Sequence, residues 1–211
     1  MTKWSVAPEP KHLSLAREPK GLSVNDVHNV VVACYKARKI QEHTTHGILV
    51  KEICLKAVMT RPWHSVQLST GYYAVSQNTS PGAVVVVNGD GQELLRYNGD
   101  KGVLGYPTSL AVRKIITRES KIDVIHVADS ANDRILSMKI KKNSPSYDHH
   151  HEGNFTASSS VELISVEEMA LPVKVVVCRP TGLYQDESRD RLYVGEYYEK
   201  SRVLVVETVK L

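Results

Sequence analysis

Three groupings of side chains in this sequence could do chemistry. The run Asp148-His149-His150-His151-Glu152 offers imidazole and carboxylate donors of the kind a transition metal takes. It sits inside Lys141 to Ser160, KKNSPSYDHHHEGNFTASSS, a polar, biased segment that reads as a flexible surface loop with nothing to fix ligand geometry. No metal and no cofactor is expected from it. The carboxylate pairs Glu167-Glu168 and Asp186-Glu187 could serve as acid and base, but they stand in turn-like segments and read as solvated. The third grouping mixes aromatic and cationic side chains in loops: Tyr35, Lys36, Arg38, Lys39, Arg61, Trp63, His64, Asn132, Arg134, Tyr197, Tyr198 and Lys200. Such a set suits anchoring a protein partner or stacking on and neutralising single-stranded RNA. Within it, Arg134 and Lys39 share one position of a repeat and are expected to brace a hairpin; Trp63 is expected to pack between repeats. No G-x-S-x-G nucleophile elbow occurs. His12, His28, His43, His46, His64 and His126 show no helical pairing with a Glu base, and His126, in an apolar run, reads as a packed residue. No catalytic residue is assigned.

The elements that would position these groups are short strands. Asp123 to Ala128 is rich in β-branched residues, Asp129-Ser130-Ala131-Asn132-Asp133 is a polar turn, and Arg134 to Ile140 nearly alternates apolar and polar. A proline followed by a short apolar strand precedes this hairpin, and the unit recurs with leading prolines at Pro19, Pro62, Pro107 and Pro180. The spacings are 43, 45 and 73 residues, the last lengthened by the 141–160 insertion. A strand-built period of roughly 40 to 50 residues points to propeller blades. The expected fold is all-β, four blade units of four-stranded antiparallel sheet in one domain spanning 1–211. Inner strands are expected at Gly21 to Val24, Ser65 to Leu68, Ser109 to Val112 and Gly182 to Gln185. The Gly-rich passage from Asn98 to Gly105 joins strand to strand, so it reads as an inter-blade connection rather than a phosphate loop.

The 211 residues suffice for a sizeable core, and a net charge of +4 permits an anionic partner without demanding one. Cys34, Cys54 and Cys178 are odd in number and lack C-x-x-C spacing, which favours reduced thiols over disulfides or zinc. No apolar leader and no membrane span is visible, so a cytoplasmic location and no membrane partner are expected.

Pro107-Thr108-Ser109-Leu110-Ala111-Val112 followed by Val127-Ala128-Asp129-Ser130-Ala131-Asn132-Asp133-Arg134-Ile135 resembles the NHL repeat. Ser109 and Leu110 replace that family's usual Gly and Ile. The fourth unit is similar, with Pro180-Thr181-Gly182-Leu183, Glu196 near the Asp position and Arg202-Val203 near Arg-Ile; the first has Cys34 and Lys39-Ile40 there. The resemblance implies a β-propeller that is part of a six-bladed ring, here with four blades and an open form. It also implies a non-catalytic binding platform, as in the propellers that end tripartite-motif ubiquitin ligases, so the chain is expected to belong to a larger ligase-like protein. Related propellers that act as lactonases or amidating lyases bind calcium or zinc in the central channel. The inner strands named above hold no His, Asp or Glu, so the chain is expected not to be an enzyme.

Overall fold

The structure is a computed structural model that describes residues 18–99, 104–143, 160–171, 176–197 and 201–208. Blade 1 comprises β1 (Pro19–Val24), β2 (Val30–Cys34), β3 (Lys39–His43) and β4 (Leu49–Cys54). Blade 2 comprises β5 (Pro62–Gln67), β6 (Tyr73–Gln77), β7 (Ala83–Val87) and β8 (Glu93–Tyr97). Blade 3 comprises β9 (Pro107–Ile116), β10 (Lys121–Asp129), β11 (Arg134–Lys142) and β12 (Val161–Glu168). Blade 4 comprises β13 (Pro180–Asp186), β14 (Arg191–Glu196) and β15 (Val203–Glu207), three strands among the described residues. Every strand pairs antiparallel with its sequence neighbour in the blade. The only helical element among the described residues is a 3-10 turn at Ser130–Asn132.

The fold is an all-β propeller array, as the repeat spacing predicts. Each leading proline opens an inner strand, where its missing N–H costs no ladder bond. Middle strands lie between two neighbouring blades, so both faces are covered and the sequence runs apolar without alternation. Ala83 to Val87 are all buried for this reason. Blades 1 and 2 meet through Val31, Ile40 and Ile53 against Tyr73, Val75 and Val85. Blades 2 and 3 meet through Ala74, Val84 and Val86 against Ile125, Val127 and Met138, and blades 3 and 4 through Ile135 and Ala111 against Leu192 and Val194. Each such aliphatic side chain contributes about 1.5–3 kcal/mol by leaving water.

Two sequence expectations shift. Inner strands are longer than expected, so β5 includes His64, β9 runs through Lys114 and β13 reaches Asp186. Strand β12 extends through Val166 to Glu168, a stretch expected to be a turn. The Asp148–Glu152 run and most of the 141–160 insertion lie outside the described residues.

Candidate functional site

The inner strands all run the same way, from the end carrying the leading prolines to the end carrying the β1–β2 and β13–β14 turns. Their side chains therefore sort by position along the strand into two ends and a waist. At the proline end, the turn after the second strand is tied in three blades to the residue before that blade's own leading proline: Tyr35 N–H to Glu18 O (2.9 Å), Asn78 N–H to Arg61 O (3.1 Å) and Tyr197 N–H to Arg179 O (3.1 Å).

The last residue of the second strand makes a companion bond in three blades. Gln77 Oε1 accepts the Thr60 N–H at 3.2 Å, Asp129 Oδ1 the Gly105 N–H at 2.8 Å, and Glu196 Oε1 the Cys178 N–H at 2.6 Å. Thr60, Gly105 and Cys178 each stand two residues before a leading proline. Asp129 Oδ2 also takes Asn132 Nδ2 and Arg134 Nε, both at 2.8 Å. Arg202 does the same for Glu196, and its hydrogen bond, together with the Cys178 N–H, outweighs burial and holds that carboxyl below its usual value. The Asp, Asn and Arg of the repeat are thus a bracket that fastens a hairpin to the inter-blade loop. Sequence reading found the Asp and Glu positions and missed Gln77, whose neighbours do not resemble the motif.

The loop-face candidates separate accordingly. Asn132 and Arg134 belong to the bracket. Tyr35 and Trp63 do come together, ring centroids 6.2 Å apart and edge-to-face, with Lys20 Nζ 5.7 and 5.1 Å from the two rings. Lys36 pairs with Glu18, Lys39 with Glu52, and Arg38 takes a left-handed backbone (φ 51°) in the turn. Arg61 and Tyr197 are exposed at this end. Tyr198 and Lys200 lie outside the described residues.

His64 is not a loop residue. Its ring lies among three inner strands: Nε2 is 3.0 Å from Leu22 O in β1, and Nδ1 accepts the Leu110 N–H of β9 at 3.3 Å. A carbonyl only accepts, so Nε2 carries the proton, and burial pushes the imidazole below its usual pKa. The residue is a neutral staple. Ser23 Oγ to Ser65 O (2.7 Å), Leu183 N–H to Ser109 Oγ (3.0 Å) and Thr108 Oγ1 to Pro180 O (3.0 Å) continue the stapling from blade to blade.

Between the inner strands lies a cavity of about 700 Å³. Its waist is apolar: Leu22, Val66, Leu110, Val112, Leu183 and Tyr184. Its mouth, at the end away from the prolines, collects Asn25, Asp26, His28, Lys114, Asp186 and Glu187. Lys114 Nζ is 2.5 Å from Asp26 Oδ1; the lysine side chain is 8% exposed and the aspartate 70%. Glu187 Oε1 accepts the Lys114 N–H at 3.0 Å. The Ser188 hydroxyl and then the Arg189 guanidinium hold Asp186 down to about 2, so it stays ionised. Behind the mouth, buried Asp123 takes the Ser69 N–H and hydroxyl at 3.0 and 2.9 Å, yet burial still raises its pKa.

Among the described residues, no three His, Cys, Asp or Glu side chains converge to hold a metal ion. Asp186 is engaged by Ser188 and Arg189, and Asp26 by Lys114. The calcium or zinc of the related propeller enzymes therefore does not fit the described residues.

These features define a β-propeller with a polar-mouthed central cavity. The sequence matches no family model, and no curated protein matches it. Solved structures share the fold. One is a protein of unknown function from Bacteroides caccae (12% identity, TM-score 0.60, 90% of this chain, 64% of that one). Another is a gluconolactonase from Xanthomonas campestris (13% identity, TM-score 0.52, 90% and 59%). A third is the virginiamycin B lyase of Staphylococcus aureus (11%, TM-score 0.49, 89% and 54%). The chain spans less than two thirds of the length of each. At such identities the likeness to the first two shows the propeller fold alone.

The expectation that the chain is not an enzyme is corrected. The gluconolactonase shows that this propeller fold carries catalysis. The reason given for the exclusion also fails, because the longer inner strands and their turns bring His64, Lys114, Asp186 and Glu187 to the cavity. Short strand bounds had left them out. Among the described residues no helix is long and apolar enough to cross a membrane.

Proposed function

We propose that this propeller acts on a small organic molecule held in the central cavity, as a hydrolase of the lactonase class. The observation that carries the reading is the cavity itself, with an apolar waist and ionisable groups confined to one mouth. A ring or chain of carbon atoms suits the waist, and an ester carbonyl at the mouth would meet Lys114. The sheltered ammonium is placed to stabilise an oxyanion, and Asp26 or Glu187 to take a proton from attacking water. Likeness of fold to a gluconolactonase supports the reaction class and does not name the substrate. The test is hydrolysis of glucono-lactone and small aliphatic lactones by pH-stat, above the spontaneous rate. Lys114→Met is expected to lose about 100-fold in kcat/KM, the scale of losing one oxyanion contact. Absence of both turnover and saturable binding would sink the reading.

A second reading rests on the other end. The Tyr35–Trp63 pair under Lys20, with Arg61 nearby in sequence, supports a platform for a protein partner or single-stranded RNA. The two readings use opposite ends and do not compete for residues.

A further inference from the structure

The cavity wall carries one polar group that hydrolysis at the mouth leaves without a task. Val24, Gln67, Val112 and Gln185 hold one place in the repeat, each five residues after its leading proline, and all four line the cavity. Blades 1 and 3 put valine there. Gln185 has its Oε1 enclosed by protein without a hydrogen-bond partner. Gln67 differs from all three. Its Nε2 donates to the Tyr73 hydroxyl at 3.0 Å, and its Oε1 is neither enclosed nor partnered among the described residues.

A buried relay fixes which way that amide points. Tyr73, 1% exposed, is the cross-strand partner of Gln67 and donates its O–H to Glu42 Oε2 at 2.7 Å. Glu42 Oε1 takes Asn29 Nδ2 at 2.7 Å and Asn25 Nδ2 at 2.9 Å. Burial by itself raises the Glu42 pKa, but the hydrogen bonds from Asn29, Tyr73 and Asn25 outweigh it and hold the carboxyl below its usual value. An ionised carboxylate only accepts, so the Tyr73 proton is committed to Glu42. The Tyr73 oxygen can then only accept from Gln67, and the NH2 end of the amide must face it. The carbonyl end is left for the cavity.

We infer that Gln67 determines specificity: its Oε1 accepts a hydrogen bond from a hydroxyl of the bound molecule, and Tyr73 and Glu42 are positioning residues that keep the amide from turning over. The inference rests on the cavity as the substrate site proposed above, and it narrows the substrate class. An apolar ring or chain meets the waist, and a hydroxyl on it meets Gln67. A molecule that carries only acceptors leaves Oε1 opposite another oxygen or opposite carbon and forgoes the bond, which is how a site built around a hydroxyl rejects the analogue lacking it.

A paired titration tests this without relying on turnover. Tetrahydrofuran and 3-hydroxytetrahydrofuran differ by the hydroxyl, and neither is hydrolysed. Their binding to the isotope-labelled full chain is followed by chemical-shift changes. The wild type is expected to bind the hydroxylated probe about 5-fold more tightly, the scale of one neutral hydrogen bond. Gln67→Met, similar in length and lacking the acceptor, is expected to bring that ratio to within about 1.5-fold. Tyr73→Phe frees the amide to turn over and is expected to lower the ratio with Gln67 still present. Gln67 is only half-buried, so Gln67→Met decides the matter even where Tyr73→Phe fails to fold. Equal affinity of the wild type for the two probes, no saturable binding of either, or a ratio that persists in Gln67→Met would each overturn the inference. A ratio that Gln67→Met abolishes, in a wild type that hydrolyses no lactone, would remove the hydrolase reading and keep Gln67 as the ligand contact.

Discussion

Asp129 accepts three hydrogen bonds on one buried carboxylate, from the Gly105 backbone, Asn132 and Arg134. Removing it takes a shared buried acceptor from the Gly105 N–H, Asn132 and Arg134. Asp129→Ala is therefore expected to cost about 3–5 kcal/mol, the range for breaking a buried charge pair, read as a lower denaturation midpoint. Histidine chemistry at His126 gives a pH signature. Burial, and secondarily the Arg113 charge, push its pKa down to about 4 from 6.5. The unfolded chain takes the proton near 6.5, while the folded chain resists until about 4. Stability from this group is complete above pH 6.5 and is lost as pH falls toward 4, by up to about 3 kcal/mol. His64, lowered by burial, adds to the slope in the same direction. Urea unfolding from pH 7 to 4 should show this slope, and His126→Gln should flatten it. An unchanged slope in that variant would remove His126 from the account.

At the scale of the element, inner strands hold together through close backbone approach and a few polar staples rather than large side chains. Gly21 shows how close: an added Cβ would press on His64 and on the Trp63 carbonyl, which belongs to rigid backbone. Gly21→Ala is expected to destabilise by about 2 kcal/mol, while Gly182→Ala, at the same repeat position but facing open space, should cost less than about 1 kcal/mol. Thermal unfolding of the two variants compares them directly. Equal effects would mean that the blade 1–2 approach does not govern stability. Blade number, strand order, the bracing role of Arg134 and the matching positions of Glu196 and Arg202 were legible in the sequence, because proline, β-branched runs and turn residues act locally. What the sequence did not reveal depends on contacts between blades. His64 looks like a loop residue beside Trp63, and only the approach of β1 and β9 makes it a staple. Lys114 looks like an ordinary strand cation until Asp26, 88 residues away in the chain, meets it. The extent of β9 likewise follows from pairing with a long partner, β10, which single-strand patterns do not encode.

For the whole molecule, strand direction separates two chemistries along one axis. The proline end presents Tyr35, Trp63, Lys20 and Arg61, whereas the cavity mouth presents Asp26, Asp186 and Glu187 around Lys114. A polyanion is repelled by the second set and drawn to the first. Single-stranded RNA, if it is the partner, should therefore bind weakly and at the proline end alone. Its log affinity should fall with log salt by roughly 0.7 for each phosphate neutralised. The decisive comparison is a double dissociation. Lys20→Glu with Arg61→Glu should abolish oligonucleotide binding, measured by anisotropy at two salt concentrations, and leave lactone turnover within about twofold, since charges on the far side of the fold are screened over roughly 10 Å. Lys114→Met should do the reverse. If the proline-end variant also lost turnover, or the Lys114 variant lost RNA, the two ends would be one site. Tight, salt-insensitive, sequence-selective binding would instead mean that bases are read by groups other than these cations. A protein partner alone would leave both titrations flat while the aromatic pair stayed essential, so Trp63→Ala, which removes the ring under Lys20, is the variant to carry into any search for that partner.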